Sequence, residues 1–188
     1  MRKLIAFNHV TLDGYFVGEN GNMNWAYTGN DDPEYQEFVA GNASGESVLM
    51  FGRVTYDIMA SYWPTPVADQ HLPIVAKKMN GASKVVFSKT MDKALWNNTK
   101  LVKGDLVSEV KKMKNEPGAD MVILGSGSII AQLASAGLVD EYQMVLDPVA
   151  LGKGRSMFEG IPDMISLKLT KSRVFNNGKI YLSFAPAV

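Results

Sequence analysis

The stretch Met121-Val-Ile-Leu-Gly-Ser-Gly-Ser-Ile-Ile130 joins four apolar residues, a tight Gly-Ser-Gly-Ser turn and the beginning of a helical apolar pattern. This succession predicts a buried strand that leads directly into a helix. Backbone N–H groups left unpaired at such a turn, together with the positive end of the helix dipole, favour a bound phosphate. By itself the turn at 125–128 is either an anion site or a plain connection.

Strands and helices alternate through the first two thirds of the chain. Strands are predicted at 4–10, 15–18, 48–51 and 84–88, with a weaker one at 101–102, and helices are predicted from 33, from 53, over 69–79 and from 106. Strands at 140–146, 165–175 and 179–184 follow, the last two joined by the turn Asn176-Asn-Gly178. We therefore expect one α/β domain over residues 1–188, a three-layer αβα fold whose mostly parallel central sheet ends in an antiparallel C-terminal hairpin.

Composition excludes several classes of function. The 19 basic and 19 acidic residues cancel, so no basic excess points to nucleic acid or an anionic membrane surface. The chain has no cysteine and only two histidines, which excludes thiolate chemistry and argues against a histidine-based metal site. No signal peptide or membrane-spanning run is evident, and we expect a cytoplasmic protein without metal, nucleic-acid or membrane partners.

Three predicted strand ends carry groups suited to phosphate. They are Gly52-Arg53-Val54-Thr55, Ser88-Lys89-Thr90 and Gly125-Ser-Gly-Ser128. In an open parallel sheet, ligands bind at the carboxyl ends of the strands, so these clusters are expected at one edge. Arg53 and Lys89 taken singly are better explained as solvated surface charges. Together, the three clusters would suit a dinucleotide that carries a pyrophosphate and a 2′-phosphate.

Neither standard nucleotide fingerprint is present. No G-x-G-x-x-G follows the first strand, and no G-x-x-x-x-G-K-[ST] occurs in the chain. A typical Rossmann domain or P-loop is therefore disfavoured.

The order of motifs nevertheless resembles a known superfamily. Thr11-Leu-Asp-Gly14, Leu49-Met-Phe-Gly-Arg-Val-Thr55, Val122-Ile-Leu-Gly-Ser-Gly-Ser128 and Pro148-Val-Ala-Leu-Gly-Lys-Gly-Arg155 with Phe158 are similar to motifs of dihydrofolate reductase-like proteins. The resemblance is narrower to the branch that contains the C-terminal reductase domain of bifunctional riboflavin-biosynthesis proteins. It spans nearly the whole chain.

The resemblance implies an NADPH-dependent reductase and assigns cofactor-binding residues. Gly52, Arg53 and Thr55 would hold cofactor phosphates, and Ser88 with Lys89 would lie near the 2′-phosphate. The pyrophosphate would rest on Gly125, Ser126, Gly127, Ser128 and Ile129. Val17 and Gly18 would border the nicotinamide ribose, and Met23-Asn-Trp25 resembles part of a mobile loop that closes over the nicotinamide.

The substrate side departs from dihydrofolate reductases. Asp31 and Asp32 fall near the place of the acid on the first helix, but no counterpart is found for the arginine that grips the glutamate tail of folate. The deaminase half usually fused to the riboflavin-type reductase is missing from this chain. The resemblance therefore implies a diverged stand-alone reductase.

Candidate substrate-side residues each have a structural alternative. Asp13 is the first candidate for a polar group that faces the substrate, and it is equally a turn aspartate. Asp31 is the second candidate, whereas Asp32 is better explained as a helix cap. Trp25 either stacks on a flat ring or packs in the core. Lys153 and Arg155 either bind a substrate phosphate or form a solvated turn. His9, within strand one, is interpreted as a packed histidine rather than a base.

Two functional hypotheses follow. The first is an NADPH-dependent reductase of a small heterocyclic substrate, similar to 5-amino-6-(5-phosphoribosylamino)uracil reductase or dihydrofolate reductase. The alternative is a nucleotide- or flavin-binding module without turnover. By resemblance we also expect a homodimer, for which the C-terminal strands could supply the surface.

Overall fold

The computed structural model describes residues 1–187, without the side chains of residues 43 and 44. Its strands are β1 Leu4–Thr11, β2 Tyr15–Gly18, β3 Val48–Gly52, β4 Lys84–Phe87, β5 Thr99–Val102, β6 Met121–Leu124, β7 Glu141–Asp147, β8 Gly154–Ser156, β9 Leu167–Val174 and β10 Ile180–Pro186. Its helices are α1 Pro33–Ser44, α2 Arg53–Tyr62, α3 Pro66–His71, α4 Pro73–Gly81, α5 Leu106–Asn115 and α6 Gly127–Ser135. Within the described range, no helix has the length and apolar character needed to cross a membrane.

Eight of the strands form one sheet in the order β5-β4-β3-β6-β1-β7-β10-β9. The six strands from β5 to β7 run parallel, and β10 is antiparallel to both β7 and β9. This arrangement confirms the predicted mostly parallel sheet with an antiparallel C-terminal hairpin. The order also sets β4, β3 and β6 side by side, so their carboxyl ends meet at one edge of the sheet.

Helices cover both faces of the sheet because the parallel strands are apolar on both sides. On one face, a buried cluster joins Leu4, Met50 and Ile123 of the sheet to Val110 of α5 and Ile130 of α6. On the other face, α2 and α4 contribute Tyr56 and Met79 to a cluster with Phe51 and Val86. Helix α1 packs beside them, where Tyr35 is buried with Val145, Phe175 and Tyr181. The three-layer αβα prediction is confirmed.

The predicted single helix over 69–79 is wrong, because the chain forms two helices there. Helix α3 ends at His71 and α4 begins at Pro73. Leu72 between them has φ −141° and ψ 63°, outside the helical region. Proline lacks an N–H and disfavours the helical conformation of the residue before it, so Pro73 ends one helix and begins the next.

A second, two-stranded sheet pairs β2 with β8, and the sequence predicts only half of it. The extended segment 15–18 is predicted, whereas Gly154–Ser156 is expected to lie in a loop. Gly18 lies opposite Gly154, and a Cβ on Gly154 would lie 2.4 Å from the carbonyl oxygen of Val17. This close approach requires glycine at position 154, and it joins the β7–β8 loop to the segment that follows β1.

Candidate functional site

A large open cleft of about 1980 Å³ includes the carboxyl ends of β3, β4 and β6, and it extends past the middle of β1 to Ser47 and Asp120 at the amino ends of β3 and β6. Most of the site residues predicted from the sequence line it. They are Val17, Gly18, Asp31, Gly52, Arg53, Thr55, Ser88, Lys89, Gly125, Ser126, Gly127, Ser128, Ile129, Lys153 and Arg155. The structure thus brings the three predicted strand ends to one cavity.

The turn between β6 and α6 is bound directly to the end of β3. Gly125 has φ +60° and Ser126 has φ +62°, so two successive residues adopt the left-handed conformation. The Ser126 Oγ accepts a hydrogen bond from the Gly52 N–H at 2.8 Å and donates one to the Thr55 Oγ1 at 2.9 Å. The Gly52 N–H is therefore already paired, and the donors open to a ligand come from the helices that follow.

Two helices of adequate length begin at this edge. The first N–H groups of an α-helix have no acceptor within the helix, and the helix dipole adds partial positive charge there. Helix α2 begins at Arg53, directly after β3, and α6 begins at Gly127, in the turn that follows β6. The Arg53 guanidinium is about half exposed and lies 3.6 Å from the Asp57 carboxylate. The edge therefore carries two sets of backbone donors and one cation, which suits phosphate oxygens.

Glycine is needed at this edge because the backbone packs without room for a side chain. A Cβ on Gly127 would lie 2.7 Å from the Phe16 ring, and a Cβ on Gly125 would lie 3.0 Å from the Thr55 Cγ2. A Cβ on Gly52 would lie 3.3 Å from the Ser126 Oγ. These contacts show that the packing of the turn against Thr55 and Phe16 itself requires glycine at positions 125 and 127.

Ser88 and Lys89 lie at the β4 end of the cleft. The Ser88 Oγ accepts hydrogen bonds from the N–H groups of Thr90 and Met91, which closes the turn after β4. Hydrogen bonds from the hydroxyl and N–H of Ser108 lower the pKa of Asp105, and the positive charge of Lys89 adds to that effect. The exposed Lys89 ammonium therefore lies near the Asp105 carboxylate at the rim.

Lys153 and Arg155 lie next to the residues predicted to border the nicotinamide ribose. The Lys153 Nζ is 2.9 Å from the Glu19 carboxylate, and Arg155 lies over the Phe16 ring at 5.7 Å. The pairing of β8 with β2 sets Arg155 opposite Val17, and Lys153 directly precedes Gly154, which lies opposite Gly18. Their predicted contact with a substrate phosphate stays a prediction.

The structure does not bring Asp13 or Trp25 to the cleft. The Asp13 carboxylate accepts hydrogen bonds from the Thr11 hydroxyl and from the N–H groups of Leu151 and Gly152. The Thr11 bond is the main cause that lowers the pKa of Asp13. Trp25 is buried, and its Nε1 donates to the carbonyl of Asn22. Trp25 is thus packed against its own loop, and Asp13 holds the backbone of Leu151 and Gly152, while their predicted roles toward a substrate stay predictions.

Of the two acids near α1, only Asp31 lines the cleft. Asp31 is exposed at the rim. The Asp32 Oδ1 accepts hydrogen bonds from the N–H groups of Glu34 and Tyr35, which confirms its interpretation as the N-cap of α1. Within the described part of the chain, no group of three or more acidic or histidine side chains is arranged to hold a metal ion.

Sequence reasoning missed two polar side chains of the cleft. Asn8 is 3% exposed, lines the cleft, and its Nδ2 has no hydrogen-bond partner within the described residues. His9 also lines the cleft, and its side chain is 20% exposed, so it is not the fully packed histidine that the sequence predicts. Single polar residues in an otherwise apolar strand carry no spacing signal, and only the neighbouring elements reveal their surroundings.

Comparisons with known proteins agree with this architecture. Residues 2–181 match the model of the RibD C-terminal domain family. The uncharacterized protein YyaP of Bacillus subtilis (strain 168) is 28% identical over 183 residues, 97% of this chain and 94% of YyaP. The uncharacterized protein YwjB of the same organism is 22% identical over 177 residues, 93% of this chain and 92% of YwjB.

Two solved structures share the fold. One, from Shewanella sp. PV-4, is provisionally named a riboflavin biosynthesis protein. It superposes with a TM-score of 0.75 at 22% identity and covers 99% of both chains. The other is dihydrofolate reductase from Enterococcus faecalis complexed with NADP(H) and RAB-propyl. Its TM-score is 0.66 at 16% identity, with 99% of this chain and 97% of that chain covered.

Proposed function

The chain belongs to the family of RibD C-terminal domains, and from this premise we propose that it is an NADPH-dependent reductase that transfers a hydride to a small heterocyclic substrate. The observation that carries the proposal is the joining of two helix N-termini and a left-handed glycine turn at one edge of a parallel sheet. The dihydrofolate reductase neighbour, whose fold this chain shares, is complexed with NADP(H).

The residues of the cleft fit a dinucleotide. The pyrophosphate would rest on Gly127 and Ser128 in the first turn of α6. Arg53 and Thr55, at the start of α2, would bind cofactor phosphates. The unpaired, buried Asn8 Nδ2 is a donor for a polar acceptor atom at the inner end of the cleft. When bound, the reduced nicotinamide supplies the hydride, and the protein orients both reactants and limits access of water.

The test is titration of the protein with NADPH and with NADH, followed by tryptophan fluorescence. We expect NADPH to bind more tightly, because the Lys89 ammonium at the rim suits a 2′-phosphate. Turnover is then measured with a dihydropterin, a phosphoribosylaminopyrimidine and a quinone as acceptors. Failure to bind either dinucleotide would end the proposal, and binding without reduction of any acceptor would favour the binding-module alternative.

Replacing Lys89 with methionine is expected to reduce the preference for NADPH over NADH by about tenfold, as loss of one charge-assisted hydrogen bond would do. NADH affinity should stay the same, since it lacks the 2′-phosphate. Lys93→Met is the matched control, because Lys93 is an exposed lysine on the same loop. Equal changes in both variants would show that Lys89 does not contact the 2′-phosphate.

We also propose a homodimer that forms through the C-terminal edge of the sheet. Strand β9 pairs only with β10 among the described residues, and its side chains are mostly exposed, including Leu169 and Val174. An exposed edge with apolar side chains is a surface on which a second copy can pack. Sedimentation should give twice the 20.6 kDa chain mass, and Leu169→Lys should give the monomer. A monomeric wild type would contradict the proposal.

A further inference from the structure

Four side chains from different parts of the fold form a connected polar group, and two of them, His9 and Tyr35, line the cleft. We call Lys179, Asp147, His9 and Tyr35 the His9 network. The His9 Nδ1 lies 2.8 Å from the Asp147 Oδ2, and the Asp147 Oδ1 accepts from the Lys179 ammonium. On the other side of the ring, the Tyr35 hydroxyl lies 3.3 Å from the His9 Nε2. The network thus links β7, β1 and α1 to the residue that precedes β10.

The two charged members are fully buried. Asp147 is 0% exposed and Lys179 is 1% exposed, and the Lys179 ammonium also donates to the carbonyl of Ala26. A carboxylate that accepts from the Nδ1–H fixes the orientation of an imidazole ring and directs its Nε2 away from the carboxylate. The two oxygens of the Asp147 carboxylate thus contact different partners, with Oδ1 on the Lys179 ammonium and Oδ2 on the His9 ring.

The His9 ring lines the cleft, and its side chain is 20% exposed. Burial raises the pKa of Tyr35 well above its ordinary value, so the tyrosine hydroxyl beside Nε2 keeps its proton. Tyr35 can donate to an unprotonated Nε2 or accept from a protonated one. Besides the network, Glu19, Tyr27 and Asp31 are titratable residues of the segment between β2 and α1 that line the cleft.

The His9 ring also lies near the glycine turn that is proposed to bind the cofactor. His9 follows Phe7 by two positions in β1, and the Phe7 carbonyl accepts a hydrogen bond from the N–H of Gly125. Strand β1 is the direct neighbour of β6, whose end forms the glycine turn. A substrate that reaches a dinucleotide bound at that turn from the cleft would therefore pass close to the His9 ring.

We propose that His9 donates the proton that accompanies hydride transfer, with Asp147 as a positioning residue. This inference rests on the proposed function. As a C–H bond forms at the acceptor carbon, the π electrons of its C=N bond move to the nitrogen, which takes the proton from Nε2. The acceptor gains two electrons and the reduced nicotinamide loses them. The Nε2 lone pair then accepts a hydrogen bond from the Tyr35 hydroxyl until the ring regains a proton from the solvent.

The experiment uses His9→Gln, which keeps a polar side chain of similar reach but cannot titrate. Tyr35→Phe removes the hydroxyl that contacts Nε2. Its matched control is Tyr142→Phe, a buried tyrosine in the cluster beneath α5 and α6, outside the cleft. Three properties are measured for each variant: NADPH affinity, the single-turnover rate of hydride transfer with the acceptor panel above, and the pH dependence of that rate.

We expect His9→Gln to slow hydride transfer about 100-fold or more, the usual contribution of a general acid, while NADPH affinity is unchanged. The wild-type rate should fall as the pH rises, because the protonated ring is the donor, and the His9→Gln rate should not follow that fall. Tyr35→Phe should change the pH profile, and Tyr142→Phe should not. A pH profile distinguishes a proton donor from a residue that only holds the strands together.

A second readout needs no turnover. The chain has two histidines, so its NMR spectrum contains two ring Cε1–H signals, and the one lost in His9→Gln belongs to His9. That signal should move with pH, because a proton donor must exchange its proton with the solvent, and its movement should be altered in Tyr35→Phe. A signal that does not respond to pH would overturn the inference, as would an unchanged rate in His9→Gln.

The two proposals fail in different ways. If the wild type binds neither dinucleotide, the proposed function fails and the inference fails with it. If it binds NADPH and reduces an acceptor equally fast with and without His9, only the inference fails. If it binds NADPH and reduces no acceptor, His9 is not a proton donor and the binding-module alternative stands.

Discussion

Replacing Gly125 with valine is expected to weaken NADPH binding by about 100-fold, a loss of about 2.7 kcal/mol. Gly125 has φ +60°, and its Cβ would lie 3.0 Å from the Thr55 Cγ2. The branched valine side chain would displace Thr55 and separate it from the Ser126 Oγ, which holds the two strand ends together. Both helix N-termini would then shift. Affinity is measured by fluorescence titration.

Gly137→Val is the matched control for this change. Gly137 follows the opposite end of α6 and has φ +65°, and a Cβ at this position would have no neighbouring atom within 4 Å. Both variants carry the same left-handed backbone strain, about 1–2 kcal/mol, so Gly137→Val gives the cost of that strain alone in urea unfolding, and Gly125→Val should lose more stability because it also displaces Thr55. Only Gly125→Val should lose NADPH affinity. Unchanged affinity in Gly125→Val would show that the turn is only a connection.

Replacing Asp147 with asparagine is expected to lower the free energy of unfolding by about 3 kcal/mol or more, because removal of one partner leaves an uncompensated buried charge. The Lys179 ammonium would keep only the Ala26 carbonyl among its present acceptors. The amide nitrogen of asparagine would also face a donor, either the ammonium or the His9 Nδ1–H. Urea unfolding measures the loss.

Two further variants make this result interpretable. Asp163→Asn removes an exposed carboxylate and should change the stability by less than about 0.5 kcal/mol. The double variant Asp147→Asn with Lys179→Met removes the unpaired Lys179 ammonium, so it should recover part of the stability lost in Asp147→Asn. A loss below about 1 kcal/mol in Asp147→Asn would contradict the buried ion pair.

Local sequence patterns are sufficient where the structure depends on neighbours along the chain. The Asp32-Pro33 start of α1 and the turn Asn176-Asn-Gly178 appear as predicted, because capping and turn formation depend on a few adjacent residues. The single helix predicted over 69–79 is wrong for an equally local reason, since Pro73 imposes a break whatever the apolar pattern. Strand β8 is missed because its three residues gain their partner only from β2.

The sequence by itself determined the fold class and the meeting at one edge of the three segments that are predicted to bind anions. Apolar strands alternating with helices require a parallel sheet, and the carboxyl ends of parallel strands share an edge. Only the tertiary structure decided which polar residues face the cleft. In the structure, the Asp13 carboxylate accepts a hydrogen bond from the Leu151 N–H, and Trp25 is buried. His9 lines the cleft, and its ring contacts the buried Asp147 carboxylate. Such contacts join residues far apart in the chain, and their formation depends on packing between elements rather than on any local pattern.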